Sequence, residues 1–317
     1  MRETFAFLVV VCVAACNSST PGVADLGDDA GSADLSSSGD MASALIAARP
    51  YTNNLYVPSG YQATTPAPLV VLLHGYTATG AQQELYFNLK AVSEAHGFLY
   101  VYPDGTKDSI GNHFWNATDA CCDAFGAKPD DSQYIMDIVR DIQSKFNVDA
   151  KRIYLIGHSN GAFMSHRLAC EHSEVFAGIV PLAGDTYKDQ SKCVAAHPVA
   201  VLQVQGDADA TIAYGGGGPL FTNAAMFPGS VETVGDWATK NGCTGTLTDT
   251  GTSIDLDTAL ANAETAVAKY ICTNGAVELW TIHGGGHLPA LQTNPAVSTP
   301  PTWGERIYGW LSQHPKP

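Results

Sequence analysis

The chain has 317 residues, 45% of them hydrophobic, and a formal net charge of −15. This is ample apolar material for a packed core, and the length allows one large domain or two small ones. The acidic balance excludes a polyanion such as nucleic acid as partner, because phosphate binding needs clustered Lys and Arg.

At the N-terminus Arg2 precedes the apolar run "FAFLVVVCVAA", shorter than the roughly 20 residues of a membrane-spanning helix. Residues 1–15 read as a signal peptide. The run ends in Val13-Ala14-Ala15-Cys16, which resembles the bacterial lipobox and implies a lipid on Cys16. That lipid makes the chain a cell-surface or periplasmic lipoprotein, held in the outer or cytoplasmic membrane, with plain secretion as the alternative. Residues 16–48 are rich in Ser, Gly, Asp and Ala and carry Asp25, Asp28, Asp29, Asp34 and Asp40 without Lys or Arg. They cannot bury enough surface to offset ordering entropy and are expected to be a tether. Residues 49–317 show no repeat and no second low-complexity break, and are expected to form one domain.

Within that domain six short apolar runs read as strands: 68–75, 98–105, 152–159, 177–184, 198–206 and 277–285. Their nearly continuous apolar character means that both faces of a sheet are covered. The runs alternate with amphipathic stretches, so the expected fold is α/β, a mostly parallel sheet joined by helical crossovers. "DSQYIMDIVRDIQSKF" places Ile135, Ile138, Val139, Ile142 and Phe146 at helical spacing, behind Asp131 or Ser132 as cap. A second helix starts after Ser159, with Phe163, Met164 and Leu168 facing the core, and "SVETVGDWATKNG" and "TPPTWGERIYGWLSQH" supply later ones. Six cysteines remain after Cys12 and Cys16 are set aside. Short loop closures favour Cys170 with Cys193 and Cys243 with Cys272, which leaves Cys121 and Cys122 to each other or as free thiols.

Open α/β sheets place their ligand crevice beyond the C-terminal strand ends, and the reactive residue types cluster there. Gly157-His158-Ser159-Asn160-Gly161 fits G-x-S-x-G between a strand and a helix. A nucleophilic serine needs small flanking residues at that junction so that a sharp turn can lift its hydroxyl clear of the sheet. Such a serine requires an oxyanion donor before it, then an acid, then a histidine. His74-Gly75-Tyr76 fills the first slot, so the backbone N–H groups of Tyr76 and Asn160 are the expected oxyanion hole. His283-Gly284-Gly285-Gly286 looks more like a known oxyanion motif but follows the serine on the wrong strand. Of the ten histidines only His283, His287 and His314 lie late enough to be the base. His283 falls inside a strand and His314 in the tail, whereas His287 sits on a loop freed by glycines. For the acid Asp209 is preferred over Asp207, being a turn beyond the strand end, and Asp185 reads as a structural cap.

The stretches "PLVVLLHG", "RIYLIGHSNGAFMSHRLAC", Gly206-x-x-Asp209 with Tyr214, "WATKNGC" and "GGGH" together resemble one known group. It is the secreted polyhydroxybutyrate depolymerase and feruloyl or acetyl-xylan esterase group of α/β-hydrolases, of the carbohydrate esterase family 1 type. The resemblance spans about residues 50–312 and implies an α/β-hydrolase fold without a large lid domain. It implies Ser159, Asp209 and His287 as a catalytic triad, with no metal and no organic cofactor. Members often continue after the histidine with Trp-Pro-Gly, where this chain has Leu288-Pro289-Ala290. The implied activity is a serine esterase acting on feruloyl or acetyl esters of plant polysaccharide. Short-chain polyhydroxyalkanoate depolymerase is the alternative, which would make the substrate a polyester oligomer, and an inactive hydrolase-fold binding module is a reading of another class. Trp115 is a candidate for the acyl or leaving-group pocket, with packing as its other reading.

Overall fold

A computed structural model describes residues 44–294 and 301–317 of the chain. The expected signal peptide, Cys16 and the tether up to residue 43 lie outside the described residues. Residues 44–48 are helical, and Leu45 and Ile46 pack half-buried against the core, so folded structure begins before the boundary at 49 read from composition.

In chain order the strands are β1 (Leu55–Tyr56), β2 (Ala67–Leu73), β3 (Leu99–Val101), β4 (Thr106–Lys107), β5 (His113–Phe114) and β6 (Val148–His158). They continue with β7 (Gly178–Leu182), β8 (Ala200–Gly206), β9 (Thr244–Ile254), β10 (Thr265–Ile271) and β11 (Val277–Ile282). The helices are α1 (Gly80–Phe87), α2 (Leu89–His96), α3 (Asp131–Lys145), α4 (Asn160–Glu171), α5 (Ser230–Lys240) and α6 (Trp303–Ser312). Among the described residues one nine-stranded sheet runs β1-β3-β2-β6-β7-β8-β11-β10-β9, and β4 and β5 form a separate ribbon. From β3 to β11 neighbouring strands are parallel; β1, β10 and β9 join antiparallel at the edges.

Each of the six apolar runs read from the sequence is one of the parallel strands. Side chains alternate across a strand, so Leu69, Val71 and Leu73 of β2 join one core while Val70 and Leu72 join the other. The first core is closed by α3, α4 and α5 through Ile138, Phe163, Met164 and Trp237. The second is closed by α1, α2 and α6 through Phe87, Val92, Trp303 and Leu311. The result is a sheet between two helical layers, with no lid domain among the described elements.

Three local features differ from expectation. Strands β9 and β10 were not anticipated: "TGTLTDTGTSI" of β9 is nearly all exposed and carries no apolar alternation, as an edge strand with only one neighbour allows, and "TAVAKYI" of β10 is only partly buried. Helix α3 is capped by Asp130, which accepts from the Gln133 N–H, whereas Asp131 is buried against Arg49 at 2.6 Å. Helices α1 and α2 were not anticipated, although Thr79 and Gln82 form a capping box at the start of α1. Helix α6 is capped by the Thr302 side chain, which accepts from the Glu305 N–H.

The cysteines pair as Cys170–Cys193, Cys243–Cys272 and Cys121–Cys122. Cys243 and Cys272 flank the β9–β10 hairpin and close its base. Three disulfides fit an oxidising compartment.

Candidate active site

Ser159 sits between β6 and α4 with φ 54° and ψ −118°, a conformation that costs a side-chain-bearing residue of the order of 1–3 kcal/mol. The glycines on either side explain how that turn is accommodated. A Cβ on Gly157 would stand 2.2 Å from the Gly161 carbonyl oxygen, and a Cβ on Gly161 would stand 2.1 Å from that of Leu73. Helix, turn and neighbouring strand therefore touch backbone to backbone, and any side chain at either position would push the serine out of place. Helix α4 starts at Asn160, so its positive dipole end lies at the serine.

His287 Nε2 lies 3.0 Å from Ser159 Oγ, and His287 Nδ1 lies 2.8 Å from Asp209 Oδ2. The structure thus brings together the three residues singled out from strand-end spacing, from β6, β8 and β11. Asp209 is held by more than the histidine: Oδ2 also accepts from Gln205 Nε2 at 3.0 Å, and Oδ1 accepts the N–H groups of Thr211 and Ile212. Burial pushes the Asp209 carboxyl up, but its hydrogen bonds and the facing imidazole outweigh burial and hold it below the ordinary carboxylate value. An ionised Asp209 fixes the proton on His287 Nδ1 and leaves Nε2 to accept the serine proton.

The backbone N–H groups of Tyr76 and Asn160 donate to no other group among the described residues. Both are positioned by buried side chains. His74 Nδ1 donates to the Gly75 carbonyl and Nε2 accepts the Gly105 N–H, each at 2.8 Å. Burial lowers the His74 pKa to about 4, so the ring is neutral in that role at pH 7. The Asn160 side chain accepts from the Trp115 N–H at 2.7 Å and donates to its carbonyl at 2.9 Å.

Trp115 is the correction to the sequence reading. It is fully buried and its indole N–H donates to the His74 carbonyl at 3.1 Å. It cannot touch a ligand; it braces the turn that carries Tyr76. Phe163 and Met164 are fully buried in the core.

Two supports were not recognised from sequence. His158, the variable residue before the serine, lies with Nε2 3.0 Å from the His287 carbonyl, and burial lowers its pKa to about 4. The neutral ring is therefore the donor that anchors the His287 backbone. Gln205, near the end of β8, secures Asp209 in the loop that follows. No local signal marks either, because each contact depends on how strands pack. The rejected pair, Asp207 and His283, binds itself: His283 lies beyond the end of β11 and its Nδ1 is 2.8 Å from Asp207 Oδ2. Asp185 is buried and accepts from Thr233 Oγ1 at 3.0 Å, so it meets the first turn of α5 through a side chain rather than as a backbone cap. Burial pushes its carboxyl up to about 8, with the Thr233 and Ser230 hydroxyls opposing and the Asp209 charge adding.

The chain is 32% identical to feruloyl esterase B of Piromyces equi over 73% of this chain and 41% of that protein. It is 35% identical to poly(3-hydroxyalkanoate) depolymerase C of Paucimonas lemoignei over 42% of this chain and 31% of that protein. The chain thus spans less than half the length of either relative. The acetyl xylan esterase from Aspergillus awamori superposes over 81% of this chain and 92% of its own, with a TM-score of 0.53 at 19% identity, which establishes the α/β-hydrolase type of fold. Residues 51–215, carrying Tyr76, Ser159, Asn160 and Asp209 but not His287, match the esterase PHB depolymerase family, and the chain belongs to that family.

Proposed function

We propose that the chain is a serine esterase that cleaves carboxylic esters through an acyl-enzyme. The observation that carries this reading is the continuous hydrogen-bonded chain from Asp209 through His287 to Ser159. In the first half-reaction Ser159 Oγ bonds to the ester carbonyl carbon while its proton passes to His287 Nε2. The carbonyl oxygen becomes an oxyanion facing the Tyr76 and Asn160 N–H groups. Collapse breaks the bond to the alcohol oxygen, which leaves with the proton from His287. Water then attacks the acyl-enzyme with His287 as base, and the acid is released with Ser159 restored. Asp209 stays ionised throughout, orienting the imidazole and stabilising its charged form.

For the substrate we favour feruloyl or acetyl esters of plant polysaccharide, supported by the longer match to feruloyl esterase B. Short-chain polyhydroxyalkanoate cleavage is the second reading, supported by the match to a poly(3-hydroxyalkanoate) depolymerase. An inactive binding module has no need of a complete triad. The domain is proposed to act outside the cytoplasm, tethered through a lipid on Cys16; Cys16→Ser should then move it from the membrane to the soluble fraction. Initial rates on methyl ferulate, acetylated xylan and hydroxybutyrate oligomers, with Ser159→Ala as blank, test the activity. Preference for either of the first two supports polysaccharide de-esterification, and preference for the third makes the protein a depolymerase. No rate above the blank on any of them contradicts the reading.

A further inference from the structure

Both oxyanion donors rest on one small element, the β4–β5 ribbon and the residue that follows it. On the Tyr76 side the Thr77 N–H donates to the His113 carbonyl at 2.9 Å, and the Gly105 N–H donates to His74 Nε2 at 2.8 Å. The Trp115 indole adds its bond to the His74 carbonyl. On the Asn160 side the Trp115 backbone holds both ends of the Asn160 amide, at 2.7 and 2.9 Å. A shift of the ribbon would therefore move both N–H groups that face the oxyanion. Yet β4 and β5 have two residues each and pair only with one another, and an isolated two-stranded ribbon is marginal by itself.

Asp131 supplies the missing anchor. It is fully buried at the first position of α3. Its Oδ1 accepts from Thr106 Oγ1 in β4 at 2.9 Å, and its Oδ2 accepts the N–H of Asn116, just past β5, at 2.7 Å. One carboxylate thus grips both strands of the ribbon. From the other side Arg167 Nη1 of α4 donates to the Asn116 carbonyl at 2.5 Å.

The charge of Asp131 is met by Arg49, whose Nη1 donates to Oδ1 at 2.6 Å. Arg49 is itself fixed: its guanidinium lies 3.7 Å above the centre of the Tyr134 ring, and the Tyr134 hydroxyl donates to the Arg49 carbonyl at 2.7 Å. A buried carboxylate stripped of its cation loses the attraction that offsets its desolvation. Arg49 therefore keeps Asp131 in place as the acceptor for both strands. Asp131 and the ribbon lie among the residues that match the family, whereas Arg49 precedes them.

We propose that the Arg49–Asp131 pair positions the oxyanion hole, holding the β4–β5 ribbon so that the Tyr76 and Asn160 N–H groups converge on one oxygen. The proposal rests on the esterase reading and adds two positioning residues to it, neither of which touches substrate.

The test uses the purified full chain, with para-nitrophenyl butyrate as substrate and propyl trifluoromethyl ketone as probe of the hole. Ser159 Oγ bonds to the ketone carbon, its proton passes to His287, and the carbonyl electron pair becomes an oxyanion with no group leaving. The Ki of this transition-state mimic therefore reads how well the oxyanion is held. In Arg49→Met, kcat/KM should fall about 10- to 100-fold, at or below the loss of an oxyanion donor outright, and Ki should rise by a similar factor. KM should stay within about twofold of the native value. Arg49→Lys, which keeps the charge, should lose less in both quantities.

A variant that is merely less stable has fewer active molecules, which lowers kcat, but the Ki of the molecules that remain does not move. Asp131→Asn keeps the test open should Arg49→Met fold poorly. It has the same shape, but its amide turns an N–H toward groups that all donate to the carboxylate, and it should raise Ki as well. An unchanged Ki in these variants, with or without a fall in kcat, overturns the positioning role. The native protein separates the two levels. If it does not hydrolyse the ester, the esterase reading falls and the positioning role with it; hydrolysis by the native protein with an unchanged Ki in the variants overturns the positioning role alone.

Discussion

Two Asp–His pairs join the same two loops, and only one of them reaches a nucleophile. Asp209–His287 and Asp207–His283 show the same 2.8 Å contact from Nδ1 to Oδ2. The Asp209 carboxylate is wholly buried and its histidine 19% exposed, whereas Asp207 and His283 are 37% and 60% exposed. The inner pair meets Ser159 through its far nitrogen. The outer pair's other anchor is the Gly284 N–H, which donates to Asp207 Oδ1 at 2.7 Å, so it pins the start of the glycine loop. An Asp–His contact therefore does not make a base. What makes one is burial of the acid, a fixed tautomer and a hydroxyl on the other side of the ring.

Breaking the inner pair should have the largest effect. Asp209→Asn presents an amide where the imidazole needs an acceptor, and kcat on a short ester should fall by about 10³- to 10⁴-fold in steady-state assays. A loss below tenfold would mean that His287 is oriented by something else.

A deeper carboxylate sharpens the role of burial. Asp185 is fully buried and pushed up to about 8, so the folded state holds a proton there that the unfolded chain releases near pH 4. Its contribution to stability accordingly falls as pH rises from about 4 to about 8. Asp185→Asn should be little different from the native protein at pH 4. At pH 8 it should be more stable by at least about 1.4 kcal/mol, the equivalent of one pKa unit, in denaturant titrations. Asp209 has the opposite sign: its pKa is lowered, so its stabilisation is present above about pH 4 and is lost as pH falls through the folded value.

Smaller effects are expected at the supports. His158→Ala removes the donor to the His287 carbonyl and should cost about tenfold in kcat, the equivalent of one hydrogen bond, with KM little changed. Least of all, Asp207→Asn in the outer pair should change stability by less than about 1 kcal/mol, as for exposed ion pairs, and kcat by less than about threefold. An effect as large as that of Asp209→Asn would erase the distinction between the two pairs.

How much of this was legible in the sequence follows from the range of the interactions involved. β-Branched runs ending in His74-Gly75, in the glycine-flanked Ser159 and in Asp209 carry their meaning locally, since each strand end must turn and each turn has a chemical signature. Trp115 was misassigned because "HFWNATD" has no periodicity to say which way a side chain faces. Strand β9 escaped notice because its threonines and glycines bury little. His158 and Gln205 were invisible for another reason: their partners are set by the packing of β6, β8 and β11, and a chain read in one dimension holds no record of that register.

The most direct test of the central claim is covalent labelling of the nucleophile. The native protein is incubated with a fluorophosphonate, and the modified peptide is located by mass spectrometry. The expected result is a single adduct on Ser159, absent in Ser159→Ala and slowed about 10³-fold or more in His287→Ala. Stoichiometric labelling at another residue, or none at Ser159 in a folded protein, would contradict the account.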